Sequence, residues 1–308
     1  MGITGVEKRG TLRHVFFLET LAIVLLPVSC SRTGTVLDQG DMVVPEAKAT
    51  SGKNNQNNKA DRIPGLAVPL DFHDTRDLKI DGKFQDLIWK QSACTGSFVN
   101  PGNGRPVKGD EHSASVCMVG TRDALLLAFK VRDMDIVGGF EPNKRDQHLW
   151  TRDAVEIMTD PDGDGDNKDY YEIQVNPQNL VFDSFFDDYN KPRVDPDGPF
   201  GHQDWNCKLK SAVALHGTLD SSKDRDVGYD VEIFIPWSCF FKAIQSRPRP
   251  GQSWRMNFYV MDQGKALSWS PILGKGNFHK ADRFGRIDWK AGDGSRNDLH
   301  GGSSVRSP

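Results

Sequence analysis

Through most of this chain, hydrophobic and polar residues alternate in short runs, and turn-forming residues separate one run from the next. Period-two runs of this length are what half-buried strands require, since successive side chains of a strand point to opposite faces. The pattern predicts strands at 114–119, 124–131, 154–159, 170–176, 180–186, 209–216, 229–235, 254–261 and 284–289. Two segments read as short helices, 84–91 and 237–244, the second following Pro236. The cadence predicts an all-β fold: an antiparallel β-sandwich of jelly-roll or immunoglobulin-like two-sheet architecture with one or two short helices. There is no alternation of strands with helices, and no G-x-G-x-x-G follows a strand, so a nucleotide-binding α/β fold is disfavoured.

The centre of the chain, 153–176, is the most informative stretch. Val155 and Ile157 share one face of the first strand there, and Tyr171, Ile173 and Val175 share one face of the second. The opposite face of the second strand carries Tyr170, Glu172, Gln174 and Asn176, with Glu156 expected as a cross-strand neighbour. This face is either a hydrated outer surface or a set of partners for ligand hydroxyls. The connecting loop holds Asp160, Asp162, Asp164, Asp166 and Asp169, with Gly163 and Gly165 allowing tight curvature. Calcium takes six to eight oxygens at short range, and aspartate at every second position supplies them. The spacing does not follow an EF-hand, because Asn167 stands where its glycine would be and strands flank the loop. A structural calcium bound by these five aspartates is the expectation; a solvated Asp-Gly hairpin turn is the alternative.

The ends have a different character. Lys8, Arg9 and Arg13 precede an apolar stretch, 15–28, too short to span a bilayer, and Ser29 and Cys30 follow it. Residues 1–30 are read as a signal peptide, with Cys30 as a lipidation site and the protein carried across the inner membrane to the cell envelope. Ordinary cleaved secretion and a retained apolar anchor are the alternatives. Residues 31–65 are rich in Ser, Asn, Gln, Lys and Gly and read as a flexible linker, 66–292 as one domain, and 293–308 as a disordered tail. Beyond Cys30 the cysteines are Cys94, Cys117, Cys207 and Cys239. Their even number is compatible with two disulfides in any of three pairings, or with four small buried residues. A net charge of -3 without a basic cluster argues against nucleic acid as a partner.

Seven tryptophans offer flat surfaces on which a sugar could stack. Trp89, Trp237 and Trp254 sit in segments that read as packing. Trp150, among Lys144, Arg145, His148 and Arg152, and Trp269, flanked by Ser268 and Ser270, are the candidates for a binding rim, with Trp205 a third. The predicted binding set is Trp150, Trp269, Arg152, Glu172, Gln174, Asn176, Asn277 and His279, the last two on a long connection over 264–282.

Five segments in order resemble the family 9 carbohydrate-binding modules and the related DOMON-like sandwiches. They are KIDGKFQDLIWKQSA (79–93), DAVEIMTDPDGDGDNKDYYEIQVNP (153–177), DVGYDVEIFIPWSCF (226–240), PGQSWRMNFYVMD (250–262) and LSWSPILGKGNFHKADRFGRIDW (267–289). The resemblance spans about 66–290 and implies a β-sandwich that binds oligosaccharide or polysaccharide, works beside separate glycoside hydrolases and holds structural calcium. A non-catalytic carbohydrate-binding lipoprotein or secreted module is the leading expectation. A glycoside hydrolase acting on O-glycosyl bonds is the first rival, since 42 Asp and Glu residues always provide a pair on paper. A haem-binding DOMON-type redox module is the second. No G-x-S-x-G occurs to support serine catalysis.

Overall fold

Twelve strands succeed one another in the computed structural model, which describes residues 62–71, 75, 77–109, 111–191 and 201–292. The expectations for 1–30, for Cys30, for nearly all of the linker and for the tail lie outside the described residues. The strands are β1 (Gly65–Leu70), β2 (Ala93–Cys94), β3 (Ser113–Gly120), β4 (Ala124–Arg132), β5 (Ala154–Asp160), β6 (Lys168–Val175), β7 (Val181–Asp188), β8 (Lys210–His216), β9 (Gly228–Pro236), β10 (Ser253–Asp262), β11 (Lys265–Ser268) and β12 (Gly285–Ala291). Every strand expected from the alternation is present.

Their order is β7-β6-β5-β10-β12-β1-β3-β4-β9-β8, with β11 on β10 and β2 on β3, so one curled sheet supplies both layers of a sandwich. The inward sets of the two halves fill a common core. Val155, Ile157, Tyr171, Ile173 and Phe258 from one side meet Val116, Leu127, Phe129, Val231 and Ile233 from the other. Phe129 on β4 and Phe258 on β10 meet edge to face, with ring centroids 5.9 Å apart. Trp237, Trp254 and Trp289 make mutual edge-to-face contacts at 5.2 to 5.8 Å.

Two expectations need correction. The sheet is mixed: β1 runs parallel to β12 over its whole length and parallel to β3 at Leu70 and Gly120. β1 lies at the linker boundary and is short, which is why alternation alone did not reveal it. The expected helices are single 3-10 turns, Leu87–Gln91 and Trp237–Phe240. The first buries none of its residues, so nothing propagates it into an α-helix; in the second, Trp237 and Phe240 lie three apart, the spacing that eclipses in a 3-10 turn, and both are buried. Cys94 pairs with Cys117 across β2 and β3, and Cys207 pairs with Cys239.

Candidate functional site

The outward face of β7-β6-β5-β10 is where the sequence placed its polar row, and strand register decides who stands beside whom. Glu156 lies opposite Gln174 on one side and Tyr259 on the other, and Glu172 lies opposite Ser184 and Met158. These side chains are not hydrated. Glu156, Glu172, Gln174, Ser184, Asn257 and Tyr259 are all buried to 1% exposure or less.

The cover is the segment between β11 and β12. β10 bonds β11 along one stretch of an edge and β12 along another stretch, so the chain leaves at Ser268 and must return at Gly285. The excursion folds back over the outer face, where Ile272, Phe278, Ala281 and Phe284 join Met158, Tyr170, Phe182, Phe186 and Tyr259 in a second apolar cluster. We call it the strap. Polar contacts fasten it: Tyr170 Oη to His279 Nδ1 at 2.7 Å, Asn257 Nδ2 to the Ser270 carbonyl at 2.9 Å, and the Tyr259 hydroxyl to the Phe278 carbonyl at 3.2 Å. Asn167, in the acidic hairpin, donates to the His279 carbonyl and accepts from the Ala281 amide.

Beneath the strap, Gln174 Nε2 donates to both Glu156 Oε2 (2.8 Å) and Glu172 Oε1 (2.6 Å). Burial first, and then the neighbouring Glu172, hold the Glu156 carboxyl well above its usual range, which favours its neutral form. Burial also drops His279 to about 3, so its ring is neutral. Glu156 Oε1 and Gln174 Oε1 are buried with no hydrogen-bond partner among the described residues.

The structure divides the predicted binding set. Trp150, Glu172, Gln174 and His279 lie on the outer face, with Trp150 edge-on to Phe182 at 5.2 Å and stacked on His148 at 4.3 Å. Asn277 sits on the strap and donates to Tyr189 Oη at 2.6 Å. Trp269 belongs instead to the inner core against Phe258. Trp150 is 4% exposed and Trp269 9%, and they lie in different clusters, so the expected rim with two open indoles is corrected. A polar neighbourhood in sequence says nothing of the contacts that bury these rings, Trp150 in the outer cluster and Trp269 in the inner core. Asn176 is a turn residue whose Oδ1 caps the Leu180 amide at 2.8 Å, and Arg152 is exposed with its guanidinium over Phe140 at 5.7 Å. Trp205 is half-buried against Tyr171.

In the acidic hairpin, Asp160, Asp162 and Asp164 bring one carboxylate oxygen each within 4.8 Å of the others. Asp160 also accepts the Gly163 and Gly165 amides, and burial followed by Asp162 pushes it up to about 8. Crowded carboxylates in a tight oxygen-rich loop fit a hard cation such as calcium. Asp166 is turned to Lys168, and Asp169 stands outside the group of three. A second group, Asp133, Asp153 and Asp262, was missed because its members are far apart in sequence.

The model of carbohydrate-binding family 9 matches residues 113–289, more than half of the 308-residue chain. The chain belongs to carbohydrate-binding family 9. The family 9 match runs from the first residue of β3 into β12 and so includes the polar row, the hairpin and the strap. Among solved structures, a carbohydrate-binding candidate from Bacteroides uniformis ATCC 8492 shares the fold with a TM-score of 0.54 at 20% identity, covering 74% of this chain and 100% of that one. A family 9 module from Caldicellulosiruptor kristjanssonii, solved with cellotriose, aligns with a TM-score of 0.47 at 16% identity over 79% of this chain and 100% of that one. A curated relative, an extracellular protein of Arthroderma benhamiae, is 24% identical over 155 residues, which are 48% of this chain and 66% of the relative, just under two thirds of its length.

Proposed function

We propose that this protein binds oligosaccharide or polysaccharide without cleaving it, on the outer face of β5, β6 and β10 beneath the strap. One observation carries this reading: Glu156 Oε1 and Gln174 Oε1 are buried without partners among the described residues, in a row of planar polar groups flanked by aromatic rings. An unmade hydrogen bond in the interior costs about 1–3 kcal/mol, and sugar hydroxyls are groups that would make these bonds. Trp150 and Phe182 border the row through Gln174, which pairs with Phe182 across β6 and β7, and provide the apolar surface for a pyranose face. Family membership supports the ligand class. In this reading the strap swings out to admit a chain, and Asn277 and His279 move with it.

Calcium at Asp160, Asp162 and Asp164 belongs to the same reading as a stiffener of the hairpin. It would hold Asn167, and through Asn167 the strap, in register. Two disulfides support an oxidising compartment, in keeping with a relative named extracellular. Lipid attachment at Cys30 and work beside separate glycoside hydrolases complete the proposal.

Titration of the full chain with a panel of oligosaccharides tests it. Dissociation constants from millimolar to micromolar are expected, on the order of -4 to -8 kcal/mol. Release of reducing sugar from any panel member would assign a hydrolase instead.

A further inference from the structure

The row beneath the strap has an uneven supply of hydrogen-bonding atoms. Its amide and phenol donors are spent inside the protein. Gln174 Nε2 serves Glu156 and Glu172, Asn257 Nδ2 serves the Tyr259 hydroxyl (2.7 Å) and the Ser270 carbonyl (2.9 Å), and the Tyr259 hydroxyl donates to the Phe278 carbonyl. Two carboxyl groups fix which way the Gln174 amide points, because its NH2 end carries the donors that can bond both. Its oxygen is left buried and without a partner among the described residues, as is Glu156 Oε1. Glu156 and Gln174 stand opposite each other on β5 and β6, and Glu172 is the adjoining residue on the same face of β6. What this corner of the row holds open is therefore acceptors.

Charge is uneven in the same place. Burial apart, the charged group acting on Glu156 is another carboxyl, Glu172, and its hydrogen-bond partner is a neutral amide. From the strap, His279 Nε2 stands 3.9 Å from Glu172 Oε2, and burial keeps that ring uncharged. From β10, burial keeps Tyr259 a neutral phenol. Buried carboxyls without a cation beside them are costly to ionise. The complement to such a surface is a group that is positive and only donates. An ammonium is that group, with three donors and no acceptor, whereas a hydroxyl brings a single hydrogen and a carboxylate or sulfate brings none.

We propose that the saccharide held beneath the strap is an amino sugar, its free ammonium seated among Glu156, Gln174 and Glu172. The inference rests on the sugar-binding reading above and names the class of saccharide it takes. As the ammonium arrives, the Glu156 carboxyl gives up its proton to solvent and an ion pair forms out of reach of water. N-acetylation of the sugar removes the charge and most of the donors and adds a carbonyl acceptor, so the acetylated form is disfavoured.

Calorimetric titration of the full chain compares oligomers of glucosamine, N-acetylglucosamine and glucose, equal in length and linkage. At about pH 6, where the amine is protonated, and in about 0.15 M salt, the glucosamine oligomer is expected to bind at least about tenfold tighter than either of the others. Glu156→Gln, which keeps the shape and removes the charge, should bring that ratio below about threefold, and Glu172→Gln serves if the first variant does not fold. A preference that survives both substitutions would belong to the acidic surface of the protein and would overturn the inference. A glucose oligomer that binds as tightly as the glucosamine oligomer would also overturn it, while leaving the sugar-binding reading in place. Binding of none of the three oligomers would end both.

Discussion

The Trp269 ring lies so close to Gly285 that a Cβ built on the glycine would come within 2.2 Å of it. An indole wedged against backbone in this way is a packing element, and sequence cannot reveal it because the contact joins the two ends of the strap. Trp269→Ala should cost about 3–5 kcal/mol of stability, as large-to-small core substitutions of aromatics do. Urea midpoints of the two proteins measure this; a loss below about 1 kcal/mol would contradict the buried placement. His279 gives a second prediction. Its folded value of about 3 lies far below 6.5, so the unfolded chain takes up a proton as pH drops below 6.5 while the folded one does not. The stability conferred by the neutral ring is therefore complete above pH 6.5 and is lost progressively as pH falls toward 3. The Glu156 carboxyl beneath the strap, with its value raised, contributes in the opposite sense, its stabilisation present at low pH and lost as pH rises. Comparing wild type with His279→Gln isolates the histidine: the variant should lose less stability between pH 6.5 and 4, and equal losses would sink the assignment.

Strands were legible because alternation survives wherever one face meets the core, as in Tyr171, Ile173 and Val175. β2 and β11 have too few residues to show a period, and β1 takes its place by pairing with the distant β12 and, at its end, with β3. The polar face of β6 was legible as a set; its burial was not, because the strap that covers it has no periodicity and is fixed by contacts from elsewhere. Asn167 is the link between hairpin and strap, held at a φ of 63°, a left-handed conformation that asparagine tolerates. Asn167→Ala should loosen the strap and accelerate amide hydrogen exchange at Lys280 and Ala281, with β5 and β6 unaffected. Exchange unchanged at those amides would separate the two elements. The Cys207–Cys239 bridge joins residues 32 apart, for which loop-closure entropy predicts about 3–4 kcal/mol. Replacing both cysteines by alanine should lower the unfolding free energy by that order, and a loss under 1 kcal/mol would show that the bridge does little.

At the scale of the molecule, one curled sheet produces two interiors. The inner one is apolar and holds the layers together; the outer one, beneath the strap, contains carboxyl and amide groups that an interior serving stability alone would avoid. The binding proposed for this face would account for those groups. The most direct measurement is calorimetric titration of wild type, Gln174→Ala and Trp150→Ala with the best oligosaccharide of the panel, each protein checked for folding by circular dichroism. Loss of at least about tenfold in affinity in both folded variants, or about 1.4 kcal/mol, is the predicted result. Unchanged affinity in both would place the sugar elsewhere on the protein.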